Sequence, residues 1–175
     1  MEAGKLDLEE IDFNLQVLLE DFWKIQAIRA NDKGLELIVD TRKITQPNVR
    51  GDPGRLRQIL NNLVGNALKF TSKGKILISG SIEESETSGV TFTCSVKDTG
   101  IGIPSEKLGD VCKAFTQAAS SSWAAGKGVG LGLYIASRLV AAHNGSLTIE
   151  SEIDKGTTVK VLIPKSRILT ADQVV

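Results

Sequence analysis

The stretch GKGVGLGLYIASRLVAA (126–142) sets four glycines, Gly126, Gly128, Gly130 and Gly132, at alternate positions ahead of a run with the apolar spacing of a helix. Glycine is the poorest helix former after proline, so a glycine cluster at a helix entrance weakens the helix unless the backbone there has another task. One such task is anion binding, because free backbone N–H groups at the positive end of a helix dipole hold phosphate. The two familiar phosphate loops do not fit. A dinucleotide fingerprint GxGxxG needs glycine five positions after its first, and Leu131, Leu133 and Ile135 stand five after Gly126, Gly128 and Gly130. No Gly-Lys-Ser/Thr closes a P-loop. The loop predicts a phosphate site of another geometry.

Outward from that loop, apolar periodicity predicts an α+β chain. Leu6 and Leu8 alternate with charge as a short strand or arm, and Asn14 caps a helix with Leu15, Leu18, Leu19, Phe22 and Ile25 on one face, ended by Gly34. Residues 35–40 read as a strand. Asp52 followed by Pro53 opens a helix that runs to about Lys69, with Leu56, Ile59, Leu60, Leu63 and Ala67 as its core stripe. Segments 75–83 and 90–98 alternate as one hairpin, and 146–152 and 157–164 as a second around Asp154-Lys155-Gly156. Pro104 to Leu108 reads as a short helix, 109–129 as a long loop, and 131–143 as the last helix. The sum is a two-layer α/β sandwich: a mixed, mostly antiparallel sheet covered on one face by about three helices.

Two further segments carry residues that packing does not explain. At 100° per residue, Asn62, Asn66 and Lys69 fall within a sector of about 60° beside the Ile59/Leu63 stripe. Asparagine competes with its own helix backbone, so two of them on one line suggest ligands; an amide oxygen is a hard, neutral donor to Mg²⁺, and a lysine beside it neutralises phosphate. The other segment is VKDTGIGIP (96–104). A strand delivers Asp98 to its end, and Gly100 and Gly102 let the backbone approach something flat. A carboxylate there would accept strongly from an exocyclic amine such as that of adenine.

Composition narrows the remaining choices. The 21 basic and 21 acidic side chains cancel, so no global field draws the chain to nucleic acid or to anionic membrane. No apolar run approaches the roughly 20 residues of a membrane helix, and the first ten residues are too acidic for a signal peptide, which predicts a soluble, cytoplasmic domain. The two cysteines, Cys94 and Cys112, form no CxxC pair; Cys94 alternates in line with Phe92 and Val96, as a buried reduced thiol would. The single histidine, His143, precedes Asn-Gly at a helix end, the place of a cap or dipole partner. One histidine and no cysteine cluster leave no zinc site.

Taken in order, the asparagine helix, DxGxG, the long loop and GxGLGL resemble the ATP-binding catalytic domain of sensor histidine kinases, within the GHKL ATPase superfamily. Asn62 to Thr71 match its N box, Asp98 to Ile103 its G1 box, Phe115-Thr116-Gln117 its F box and Gly128 to Leu133 its G2 box. The resemblance runs from about Leu6 to Pro164. It implies MgATP held between the asparagine helix and a lid of roughly Thr116 to Val129. In that reading Asn66 ligates Mg²⁺, Asn62 and Lys69 assist at the phosphates, and Asp98 binds the adenine amine. Gly100, Gly102, Ile103, Phe115, Lys127, Gly128, Val129, Gly130, Leu131, Gly132 and Leu133 complete the ATP contacts. Residues 1–10 are then the stub of a preceding dimerisation region, 11–164 the catalytic domain, and 165–175 a tail or linker.

Within the superfamily the hydrolysing members carry a glutamate one turn before the Mg²⁺ asparagine. Here Asn62 stands there, an amide that cannot act as a base near neutral pH. The resemblance therefore implies that the γ-phosphate is held for transfer to a histidine on a separate dimerisation domain of the same full-length kinase, with a response regulator further downstream. The fragment itself, expected to be monomeric, offers no catalytic residue of its own and no phosphoacceptor motif, since His143 is followed by Asn144. The lid also departs from the usual pattern, with Ala119, Ala124 and Lys127 where an Asp, a basic residue and a glycine are common, and with Trp123 among small residues. A nucleotide-binding or docking module without phosphotransfer and a serine-kinase or anti-sigma type relative are the alternative readings.

Overall fold

Asn14 and Asp52 start the two long helices in the way their side chains dictate. In the computed structural model, which describes residues 7–45, 47–85, 89–112 and 131–165, Asn14 Oδ1 accepts from Val17 N at 3.0 Å and Asp52 Oδ1 from Arg55 N at 2.8 Å. Each bond satisfies one amide that the first helical turn leaves without a partner. The elements run β1 (Ile11–Asn14), α1 (Leu15–Asn31), β2 (Glu36–Lys43), β3 (Asn48–Gly51), α2 (Pro53–Phe70), β4 (Lys75–Ser85), β5 (Gly89–Asp98), α3 (Ser105–Leu108), α4 (Gly132–Ala142), β6 (Ser146–Glu152) and β7 (Gly156–Lys165).

Five strands form one mixed sheet in the order β2-β4-β5-β7-β6. β2 lies parallel to β4 and the other neighbours are antiparallel. A parallel neighbour needs a crossover, and α2 supplies it. Register brings Val39, Ile78, Val96, Val159 and Ile149 into one row across the sheet, and Gly80, Cys94, Val161 and Leu147 into the next. These rows point toward the helices. Ile76, Ile78, Phe92, Cys94, Val161 and Ile163 are almost fully buried there against Leu19, Phe22, Ile59, Leu60, Leu63, Val64 and Ala136. Burying one such aliphatic side chain stabilises the fold by about 1.5–3 kcal/mol. The alternate positions, among them Lys97, Thr148, Glu150 and Lys160, are exposed or partly so, which leaves the second face of the sheet to solvent.

The expected sandwich is thus present, with three corrections to its details. The short strand lies at Ile11–Asn14 and not at Leu8, and it pairs antiparallel with β3, which the sequence reading missed. Strand β2 continues three residues beyond the expected Asp40, to Lys43. Ile25, expected in the core stripe of α1, is 54% exposed. Trp23, Gln26 and Ala30 take the buried positions instead. Gln26 tolerates burial because its polar atoms are satisfied: Nε2 donates to Asn61 Oδ1 on α2 and Oε1 accepts from Arg29.

Candidate functional site

The face of α2 carrying Asn62, Asn66 and Lys69 is regular helix throughout, so the expected line of amides exists. It meets the first turn of α4. A side chain added at Gly132 would place its Cβ 3.2 Å from Asn66 Oδ1, 3.3 Å from Asn66 Nδ2 and 3.5 Å from Asn62 Oδ1. Both amides therefore face the first turn of α4, and a side chain at Gly132 would crowd them. Asn62 Nδ2 donates to Gln58 O at 3.0 Å, which fixes the amide on its own helix and turns the oxygen toward Gly132. No side chain of Leu131 caps α4, so the N–H groups of its first turn lack the usual side-chain acceptor. Lys69 lies with its Nζ 4.8 Å from the centre of the Phe70 ring, a cation–π arrangement that holds the ammonium at the end of α2.

Asp98 ends β5 and is buried, and its Oδ1 accepts from Gly100 N at 2.8 Å and from Thr157 N at 3.3 Å. Burial raises its pKa above the ordinary carboxylate value, even though both N–H donors and the Thr71 hydroxyl favour the charged form. The turn that follows is clamped on two sides. Ile101 N donates to Phe70 O at 3.3 Å, and a Cβ at Gly100 would collide with that same carbonyl. On the other side Ile103 N donates to Ser151 Oγ at 2.7 Å and Asp154 N to Ile101 O at 3.0 Å. Gly102, at φ +71, takes a conformation that suits glycine, and a Cβ there would strike the Glu152 carbonyl. Asp98 lines an open hollow with Lys97, Ser151, Lys155 and Thr157.

The structure thus brings Asn62, Asn66 and Gly132 together, and it joins the Asp98–Ile103 turn to the end of the same helix at Phe70. Leu131 and Leu133 flank Gly132 at the start of α4, both half-buried. Phe115, Lys127, Gly128, Val129 and Gly130, with the whole expected lid, lie outside the described residues. The sequence reading gave no role to Thr71 or Thr157. Both stand beside Asp98, and only the fold shows it, because the side of a strand-end carboxylate that a distant threonine approaches leaves no local pattern. His143 is buried with Nδ1 2.8 Å from the Leu139 carbonyl of its own helix, in keeping with its expected place at a helix end. Cys94 is buried, as expected.

Among the described residues no three His, Cys, Asp or Glu side chains cluster to hold a metal. A cation at this site would take one or two protein donors and phosphate oxygens for the rest, as Mg²⁺ does, and the Asn66 amide oxygen fits that donor set. Nor, among the described residues, is any helix long and apolar enough to cross a membrane.

Comparison with known proteins shows the family of the chain. Residues 51–167 match the family described as histidine kinase-, DNA gyrase B- and HSP90-like ATPase. The chain is 40% identical over 169 residues to the sensor histidine kinase GacS of Pseudomonas protegens, covering 95% of this chain and 18% of that protein. It is 40% identical over 158 residues to the signal transduction histidine-protein kinase BarA of Escherichia coli, covering 90% of this chain and 17% of that one. The chain therefore spans less than a fifth of these relatives. Among solved structures, full-length ShkA in complex with AMPPNP superposes with a TM-score of 0.80 at 30% identity over 96% of this chain and 34% of that one. The catalytic domain of histidine kinase ThkA superposes at 0.74 with 26% identity, over 90% of this chain and 98% of that one. With the family's match covering most of the chain and the fold shared with histidine kinases, the chain belongs to the histidine kinase-, DNA gyrase B- and HSP90-like ATPase family.

Proposed function

We propose that this chain is the ATP-binding catalytic domain of a sensor histidine kinase, and that it holds MgATP between the amide face of α2 and the entrance of α4. The observation that carries this reading is the meeting of Asn62, Asn66 and Gly132, with the Asp98 turn held at the C-terminal end of the same helix by the Phe70 carbonyl. In this reading the exocyclic amine of adenine donates to Asp98 and the phosphates meet the first-turn N–H groups of α4. The Asn66 amide oxygen would hold Mg²⁺, which would supply charge neutralisation at the phosphates when bound. Lys127, Gly128, Val129 and Gly130 would extend the phosphate contacts, and Gly100, Gly102 and Ile103 shape the base pocket.

The amide at position 62 favours phosphotransfer to a histidine over hydrolysis. Asn62 occupies the place from which a base would activate water, and its amide, tied to Gln58 O, cannot take a proton near neutral pH. Catalysis is then positioning of the γ-phosphoryl group for in-line attack by an imidazole nitrogen of a dimerisation domain, which belongs to the same full-length protein. The P–N bond forms as the bond to ADP breaks. The test supplies that domain in trans with γ-labelled ATP and Mg²⁺. Acid-labile label on the partner's histidine is the expected result; saturable ATP binding without label would leave a nucleotide-binding or docking module, and acid-stable label would mean a serine kinase.

A further inference from the structure

The end of α2 holds a polar group that the functional reading does not yet use. Thr71 is the C-cap of α2, its N–H bonded to Ala67 O at 3.1 Å, and it is 3% exposed. Its hydroxyl is buried and, among the described residues, forms no bond of full hydrogen-bond geometry. A buried hydroxyl left in that state costs about 1–3 kcal/mol, so its place asks for a reason. The group beside it is the Asp98 carboxylate, on whose charged form it acts. Asp98 Oδ1 is already occupied by Gly100 N and Thr157 N. In the proposed function its other oxygen meets the base.

We propose that Thr71 is the positioning residue of the base site: its hydroxyl is drawn into line with Asp98 when a nucleotide binds, and fixes the direction in which the free carboxylate oxygen meets the adenine amine. The inference rests on Asp98 being the adenine contact. It also explains why the turn after Asp98 is bound to the helix that carries Thr71. The bond from Ile101 N to Phe70 O, and the absence of a Cβ at Gly100, hold the turn after Asp98 against the residue that precedes Thr71. A threonine at the end of the asparagine helix would thereby link base recognition to the helix that carries the phosphate-side amides.

Charged groups also surround Asp98. Lys97 adjoins it on β5, Glu150 and Glu152 belong to β6, Lys155 stands in the turn before β7, and Lys69 is in the last turn of α2. They are the same in the parent and in a Thr71 variant, so the comparison isolates the hydroxyl. The experiment measures ATP affinity between pH 4 and 8 for the parent, Thr71→Val, Thr71→Ser and Asp98→Asn. Thr71→Val is expected to bind ATP about tenfold more weakly and to lose affinity at a higher pH than the parent, because a bond favouring the carboxylate is gone. Thr71→Ser should restore both within about twofold. Unchanged affinity in Thr71→Val, or weakened affinity with an unmoved pH limb, overturns the proposal, since a packing role predicts no such shift. Thr71→Cys, a weaker donor of similar size, carries the same test should the valine variant not fold. If Asp98→Asn binds ATP as the parent does, the base-site reading itself fails and the proposal with it; a loss in Asp98→Asn alone overturns only the role of Thr71.

Discussion

Asp98 shows how one residue couples burial, charge and selectivity. Two backbone donors hold Oδ1, so Asp98→Asn can keep one of these bonds while losing the charge that makes the carboxylate a strong acceptor. A hydrogen bond to a charged group is worth about 1.5–3 kcal/mol, so ATP affinity should fall roughly 10- to 100-fold. ADP should lose the same factor, because the base is common to both; isothermal titration with the two nucleotides checks this, and a loss confined to ATP would place Asp98 elsewhere. The raised pKa adds a pH signature. The folded carboxyl takes up its proton at a higher pH than the unfolded one, so in the window between the ordinary value and the raised one the native state holds more protons. Lowering the pH through that window makes Asp98's contribution to the empty domain more favourable while ATP affinity declines. Melting temperature and ATP affinity measured together across that window should show the two opposite trends. Some residue-level detail was legible in sequence and some was not. The place of Asp98 at a strand end was legible because a strand ending in DxGxG is a local pattern. Gln26 was missed because its burial depends on Asn61, 35 positions away on another helix.

At the scale of elements, α2 does two jobs with opposite ends. At its start, burial works against the charge of Asp52, and the backbone donors of Arg55 and Glu9 outweigh it, leaving the pKa below the ordinary value. Its stabilising effect is therefore present above the usual carboxylate range and is lost as pH falls through the lowered folded value. Asp52→Ala should cost about 0.5–2 kcal/mol, a few degrees in melting temperature for a domain of this size, and Asp52→Asn less, since asparagine still caps. Thermal melts at neutral pH decide it. At the entrance of α4, Gly132→Ala separates fold from function. Alanine favours a helix interior over glycine by about 0.5–1 kcal/mol and the first helical position by less, so backbone propensity alone predicts equal or slightly greater stability. The added Cβ, 3.2 Å from Asn66 Oδ1, crowds the amide that we assign to Mg²⁺. MgATP affinity should fall several-fold while the melting temperature holds, whereas equal affinity would remove Asn66 from the site. The long helices and both hairpins announce themselves through periodicity, caps and turn residues. β1 and β3 do not, because each has four residues and owes its existence to pairing across more than 30 positions, as in Asn14 with Asn48.

For the whole molecule, the central position of β5 makes Cys94 a reporter of global opening. Its partners across the sheet are Gly80 on β4 and Val161 on β7, the helices cover its side chain, and burial pushes its thiol pKa up to about 12. The native thiol is therefore both shielded and unionised at pH 8. Cys112 is only partly buried, so a Cys112→Ser variant leaves Cys94 as the sole site of modification. In that variant the native chain should resist a thiol reagent except through openings that undo the sheet, and the rate should track the stability read from denaturant melts. Nucleotide binding then becomes measurable without chemistry. If MgATP binds only the folded chain, free ligand at ten times its dissociation constant lowers the open population about 11-fold, and labelling slows by the same factor. Asn66→Ala should remove most of the slowing that Mg²⁺ adds, while the rate without nucleotide stays within about twofold of the parent. Labelling of Cys94 that ignores saturating MgATP in the parent would mean that β5 opens locally, apart from the site that Asp98 anchors at its end, and the single packed unit inferred from the core would have to be divided.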